Sequence, residues 1–273
     1  MDARPNEPEG GGRFHGAESV VRRLEGATVS RVAHPGAQRI GEHRHDWPVL
    51  SFYRMGAYRE RGDAGEVWLS GPSVILHPAG SPHADEIGDR GLETVVVGFD
   101  PAWLVDVVSI DRRRSYYWRG GDPALAAGGL VRRWLDPGSS AAAVRAATGE
   151  FLARAVAAEP PPEPSWLERV DAAMEGGEHE TRRLAAALDL HPAWLARVYR
   201  AARGEGLQQT ARRLRVERAA ALLRPAGVSL AEVAIEAGFC DQSHMNRAFR
   251  AVLDRTPLEF AQEARSWTAP MAA

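Results

Sequence analysis

Two histidines flank an arginine in His43-Arg44-His45. Side chains at i and i+2 of a β-strand point to one face, so these two imidazoles could share a ligand or an ion. On a regular strand the same face carries Trp47, Val49, Ser51 and Tyr53, a mixture of apolar bodies and polar tips that suits a small-molecule pocket. Pro48 or a bulge would shift that register. The alternative for Trp47 and Tyr53 is that they fill an apolar interior. Cys240 is the one cysteine, which excludes an internal disulfide and a multi-cysteine zinc site.

The elements that must position these residues can be read from the pattern. A chain of 273 residues, 44% hydrophobic and 26% charged, has the composition of an ordinary globular protein of about two domains, which excludes disorder of the whole. No apolar run approaches the roughly 20 residues that span a bilayer. Acidic Asp2, Glu7 and Glu9 do not suit a secretory signal, so a cytoplasmic protein with no membrane partner is expected. Residues 1–13, rich in Gly, Pro and charge, are expected to be a mobile tail. Residues 14–158 form the first domain, with β structure over about 28–100, as in Val49–Tyr53, Glu66–Leu69, Ser73–Leu76 and Leu92–Phe99, and helices over about 101–157. A Pro-rich spacer at 159–165 cannot propagate a helix and marks the boundary. Residues 166–273 read as all helical.

Charge divides along the same line. Of 34 basic and 36 acidic residues, 182–273 hold 14 Arg against 9 acids, so the net charge of -2 hides a basic C-terminal third. Trp68, His77, Arg112 to Arg114 and Tyr116-Tyr117-Trp118 are conspicuous, but packing and a solvated charge run account for them, and they receive no role.

The helical half repeats a pattern. Thr181 to Leu188 is followed by Asp189-Leu190-His191 and a segment opened by Pro192, a residue favoured in the first helical turn. In the second copy Ser229-Leu230-Ala231-Glu232 is a capping box, Gly238 stops the helix, and Asp241 caps the next one through Met245, Phe249 and Val252. Between the copies Val216, Ala219, Ala220 and Leu223 form the apolar stripe of a connecting helix.

The stretch Ala234-Ile235-Glu236-Ala237-Gly238-Phe239-Cys240-Asp241-Gln242-Ser243-His244-Met245-Asn246-Arg247-Ala248-Phe249-Arg250, followed by Thr256-Pro257, resembles the DNA-binding domain of the AraC/XylS family of transcriptional regulators over about 181–265. The first unit departs from the family pattern at Asp189 and His191, and Tyr199 stands in for Phe; Met245 replaces an aromatic core residue. The resemblance implies two helix-turn-helix units joined by a linker helix. A helix fits the major groove, where Arg reads guanine and Asn or Gln reads adenine. The DNA-facing set of the second unit is then Gln242, Ser243, His244, Asn246 and Arg247, with Arg250 on phosphate. In the first unit similarity points to Ala193, Ala196 and Arg197, flanked by Trp194 and Arg200. The bland alternative is the solvated face of ordinary helices.

Gly36, His43-Arg44-His45, Gly56, Gly71, Pro78-Ala79-Gly80 and His83 resemble the two motifs of the cupin β-barrel over about 36–87. In metal-binding cupins two His, a Glu and a third His converge on a divalent metal. The resemblance assigns the histidines to His43, His45 and His83, while the Glu position holds Val49 and the Asn-like position Ile87. Three neutral imidazoles suffice for zinc, so a divalent metal is one reading. Histidines that bond within turns or to a small organic effector, with no cofactor required, are the other.

The fold expected is α+β: an N-terminal cupin-like β-barrel with following helices, then an all-α domain with two helix-turn-helix units. The expected function is a sequence-specific DNA-binding transcriptional regulator, not an enzyme, that senses a small effector at His43, His45, Trp47, Ser51, Tyr53 and His83. Its expected partners are double-stranded DNA and, by family likeness, RNA polymerase and a second copy of the chain. The competing expectation is a metal-dependent cupin enzyme carrying a DNA-binding domain, against which the absent carboxylate weighs.

Overall fold

Alternating β-branched and polar residues draw the first half into strands. The structure, a computed structural model, describes residues 14–104, 110–119, 121–158, 164–225 and 227–268. The tail expected at 1–13, and 159–163 of the expected spacer, lie outside the described residues. The strands are β1 (Ala17–Leu24), β2 (Ala27–His34), β3 (Gln38–His43), β4 (Val49–Gly62), β5 (Gly65–Ser70), β6 (Ser73–His77), β7 (His83–Phe99) and β8 (Tyr116–Trp118). All pair antiparallel in the order β1-β2-β7-β4-β6-β8, with β3 added on β7 and β5 on β4.

Three expectations change. β1 and β8 end the order without pairing to each other, so among the described residues the sheet is open, where a closed cupin-like barrel was expected. Strands begin at Ala17 rather than near 28. Tyr116, Tyr117 and Trp118 fall in the stretch expected to be helical, yet pair with Leu76, Ile75 and Val74. That partner is some 40 residues away, beyond the reach of local periodicity.

The open sheet still curls, because Val32 of β2, Tyr58 of β4 and Ile87 of β7 line one cavity. Two glycines permit the bend. Gly56 (φ +98°) and Gly91 (φ +77°) occupy the left-handed region, and a Cβ on Gly56 would lie 2.1 Å from the Gly91 carbonyl oxygen.

Alternation along β4 gives the sheet two faces. Leu50 and Phe52 join Val95, Val97 and Phe99 in the main apolar core, closed by Trp134 of α1 (Gly121–Leu135) and Phe151 of α2 (Ala141–Ala157). Ser51 and Tyr53 point to the cavity instead.

The second half holds α3 (Leu167–Glu175), α4 (Thr181–Ala186), α5 (Pro192–Arg203), α6 (Leu207–Leu222), α7 (Leu230–Glu236), α8 (Gln242–Leu253) and α9 (Pro257–Thr268). The capping residues are those the sequence specified, with only the Ser229 half of the expected capping box formed. Ser229 accepts from the Glu232 N–H, Gly238 is left-handed at φ +86°, and Asp241 accepts from the His244 N–H at 2.6 Å. In the first unit Asp189 turns the chain at φ +54° and the His191 ring accepts from the Ala193 N–H at 3.2 Å. α6 packs against α5, α7 and α8 and so joins the two units. Met245 is wholly buried, and the thioether fills the place of an aromatic.

The halves touch where α6 meets β4 and β7 and where α1 packs against α5. Met55 packs in one apolar cluster with Val216, Leu223 and Phe249. The Arg54 guanidinium donates to the Val252 carbonyl at 2.6 Å and to Asp254 at 2.8 Å, and the buried Arg255 pairs with Glu93. On the helical side Arg213, itself buried, donates to both Glu205 and Glu217 at 2.7 Å.

Candidate functional site

α5 buries Leu195, Tyr199 and Ala202, and α8 buries Met245, Ala248, Phe249 and Leu253. The residues expected to meet DNA therefore lie on the outer faces. Ala193, Trp194, Arg197, Arg200, Gln242, Ser243, Arg247 and Arg250 are exposed, and Ala196, His244 and Asn246 half-buried. Neither helix contains an acidic residue, so both present positive charge alone. Two of the set have a second contact. The Trp194 ring lies 5.6 Å from that of Trp166, and His244 sits edge-on to Phe239 at 5.2 Å, where it braces the turn ahead of α8.

The second site is the cavity in the sheet. Register places His43 of β3 directly opposite His83 of β7, with rings 4.2 Å apart. His45 follows in a loop held by the Gly80 N–H on its carbonyl at 2.8 Å, and its ring is 5.3 Å from each of the other two. One ligand atom from each of the three lies within 4.8 Å of the others. A carbonyl can only accept, so Nδ1 of His43 (3.0 Å from Gly41 O) and Nδ1 of His83 (3.2 Å from Ser81 O) carry hydrogens, which leaves both Nε2 lone pairs available. Burial, with His83 and His43 adding to it, pushes His45 down to about 3. Burial and then His77 push His83 down to about 4. Both imidazoles are neutral at pH 7, the state in which imidazole binds a metal.

Ser51 and Tyr53 line this cavity as the sequence reading expected, and Trp47 does not. β3 stops at His43 and β4 begins at Val49, so strand alternation does not run through Trp47. Sequence reasoning missed His15, His34, Tyr58, His77 and Asp85, all of which line the cavity. His77 and His83 bracket the Pro78-Ala79-Gly80 turn, and Asp85 lies two positions beyond His83 on β7; those spacings were the available signal. The His77 ring stacks on His83 at 4.1 Å, but its Nδ1 faces Ser115 Oγ at 3.1 Å and its Nε2 faces Glu60 at 3.3 Å, so both nitrogens are engaged. Burial opposes the charge of Glu60, yet hydrogen bonds from His77, Tyr117 and Tyr58 outweigh it and hold the carboxyl at about 2. Asp85 is pushed up to about 6, chiefly by burial.

Taken together, the repeated helix-turn-helix units with basic outer faces define a DNA-binding domain. Residues 184–263 match the model of a helix-turn-helix domain family, and this C-terminal region is a helix-turn-helix domain of the AraC type. No curated protein sequence matches the chain. Among solved structures, ToxT from Vibrio cholerae strain SCE256 with unsaturated fatty acid bound is similar at 10% identity and a TM-score of 0.40, covering 88% of this chain and 96% of that one. A DNA-binding transcriptional dual regulator from Escherichia coli K-12 shares 23% identity at a TM-score of 0.33, over 38% of this chain and 96% of that one. A probable AraC family transcriptional regulator from Rhodopseudomonas palustris CGA009 shares 21% at a TM-score of 0.35, over 37% of this chain and 99% of that one. No described helix is long and apolar enough to cross a membrane.

Proposed function

We propose that the protein is a cytoplasmic, sequence-specific DNA-binding transcriptional regulator, not an enzyme, whose N-terminal sheet domain senses a divalent transition metal ion. The DNA reading is carried by one observation: α5 and α8 present acid-free outer faces from two helix-turn-helix units fixed on one connecting helix, α6. Two such helices one turn of duplex apart, roughly 34 Å, would enter successive major grooves on one side of DNA. Contact with RNA polymerase and pairing with a second copy belong to the same reading.

The nature of the effector follows from size and chemistry. Organic ligands occupy pockets of about 300–1,000 Å³. The cavity around His43, His45 and His83 offers about 50 Å³, room for an ion rather than a metabolite. Neutral imidazoles are borderline-soft donors that suit zinc, copper, nickel or cobalt over calcium or magnesium. His43, His45 and His83 would hold the ion, and as a bound cation it would draw β3, β7 and the loop between β3 and β4 together.

The test is twofold. Fragments selected from genomic DNA by the purified protein should share one sequence, and that preference over random duplex should survive a salt-controlled titration; its absence sinks the regulator. Zn(II) should bind at one equivalent per chain and be lost in His83→Ala; wild-type protein that takes up no metal after purification free of chelator sinks the metal effector and leaves DNA binding untouched.

A further inference from the structure

β7 supplies more to the cavity than His83. Strand alternation brings His83, Asp85 and Ile87 to one face, and all three line the cavity. The Asp85 carboxylate is nearly buried, with 9% of its side chain exposed, and its Oδ2 lies 3.7 Å from His43 Nε2. That nitrogen is the one whose lone pair is available, because Nδ1 is committed to the Gly41 carbonyl. Two donors bound to one tetrahedral ion at about 2.1 Å stand about 3.4 Å apart. The Asp85–His43 pair therefore needs only a few tenths of an ångström of closure to share an ion; the ligand atoms within 4.8 Å of one another are those of His43, His45 and His83, so Asp85 completes the set by moving in beside the other two imidazoles. The other carboxylate oxygen is held in place. Asp85 Oδ1 lies 2.6 Å from the buried Tyr58 hydroxyl, whose one proton is shared between Asp85 and Glu60 at 2.5 Å, so Oδ2 is turned toward the imidazoles. A hydrogen bond to the far atom of a ligand is the usual means by which a protein orients it.

We infer that Asp85 is the fourth ligand of the ion held by His43, His45 and His83, in place of the carboxylate that Val49 cannot supply. This rests on the metal reading proposed above. It also narrows what the site does. Three imidazoles and a carboxylate complete a four-coordinate shell, and closed shells belong to structural sites, whereas catalytic zinc keeps a position open. A closed shell built across β3, β7 and the intervening loop responds to the presence of the ion by tightening these segments, and it offers no place to a substrate.

Co(II) added to the metal-free full-length protein reports the shell directly, because four-coordinate cobalt absorbs visible light far more strongly than the six-coordinate ion. Wild type is expected to give the intense spectrum. Asp85→Asn, which preserves shape and the Tyr58 contact, is expected to weaken Co(II) and Zn(II) binding by about 100-fold or more, beyond the 10–100-fold typical of outer-sphere partners, and to lose the intense bands. Asp85→His offers nitrogen for oxygen and should keep the intensity while shifting the bands. Thermal unfolding of each metal-free variant checks the fold. If Asp85→Asn binds Co(II) with wild-type affinity and spectrum while His83→Ala does not, the metal reading stands and the role of Asp85 is overturned. A spectrum unmoved in folded Asp85→His overturns it equally. No cobalt uptake by wild type fails the metal reading itself, and the inference with it.

Discussion

The backbone N–H of Gly56 donates to the carboxylate of Glu217 at 2.9 Å, across 161 positions of sequence and in a buried setting. Gly56 sits at the bend of β4, between a residue that lines the cavity, Tyr53, and another, Tyr58. Glu217 lies on α6, the helix that carries both DNA-binding units. One strand thus walls the histidine cavity with some residues and grips the DNA-binding half with those between them, Arg54, Met55 and Gly56. These contacts join β4 to α6 directly, apart from the segment that links the halves along the chain.

Loss of that acceptor should be severe. Glu217→Ala strands the Gly56 N–H and removes one of the two carboxylates that neutralise buried Arg213. Breaking a buried pair from one side costs about 3–5 kcal/mol. Urea unfolding of the variant should show a loss of that order, and Glu217→Gln, which keeps an acceptor for Gly56, should lose less.

Gly56→Ala tests the bend itself. The new Cβ would stand 2.1 Å from the Gly91 carbonyl oxygen on a backbone at φ +98°. Strain of this kind costs about 1–3 kcal/mol even without a clash. A fall in denaturation midpoint larger than that for Gly65→Ala, where the added atom meets nothing within 4 Å despite a φ of +84°, is the expected outcome.

On the DNA side, two arginines of α8 should separate by kind of contact. Both are exposed, Arg247 one turn inside the helix and Arg250 in its last turn. Arg247→Ala should cost about 1–3 kcal/mol on the selected site and relax its sequence preference, whereas Arg250→Ala should weaken all duplexes alike and reduce the salt slope by about 1. Anisotropy titrations at several salt concentrations check both.

Acid titration offers a separate check on Glu60, which faces His77 from β6, Tyr117 from β8, Asp85 from β7 and Tyr58 two positions back on its own strand. Its folded value of about 2 lies below the ordinary 4.5, so its stabilising charge is fully present above pH 4.5 and is lost as pH falls toward 2. Asp85 works in the opposite sense, since its folded value is raised to about 6. The difference in stability between wild type and Glu60→Gln should shrink steadily as pH falls below 4.5 toward 2; nearer pH 6 it also carries the shift of Asp85, which the Glu60 charge helps to raise.

How far the sequence could be read depends on distance along the chain. The helix-turn-helix units were legible because their signals are local: Ser229 bonds to the Glu232 N–H, Asp241 to the His244 N–H, and Gly238 turns the chain between them. The meeting of His43 with His83 depends on register between strands 40 residues apart, and only a motif likeness hinted at it. Trp47 lies off the cavity because β3 ends at His43 and β4 begins only at Val49, so the alternation of a regular strand does not extend through it, and Pro48 is the local sign of that break. Met55 reads as an ordinary strand residue, and nothing near it in sequence shows that its partners are Val216 and Phe249.

Met55 also bears on how the molecule can be divided. Its side chain, 2% exposed, completes an apolar cluster otherwise made from residues 216 to 264. A polypeptide cut near residue 164 would lack that plug and carry an uncovered hydrophobic dimple beside α6, inviting self-association. Whatever affinity such a fragment showed for duplex would describe a domain released from its sheet, and the intact chain is the proper yardstick.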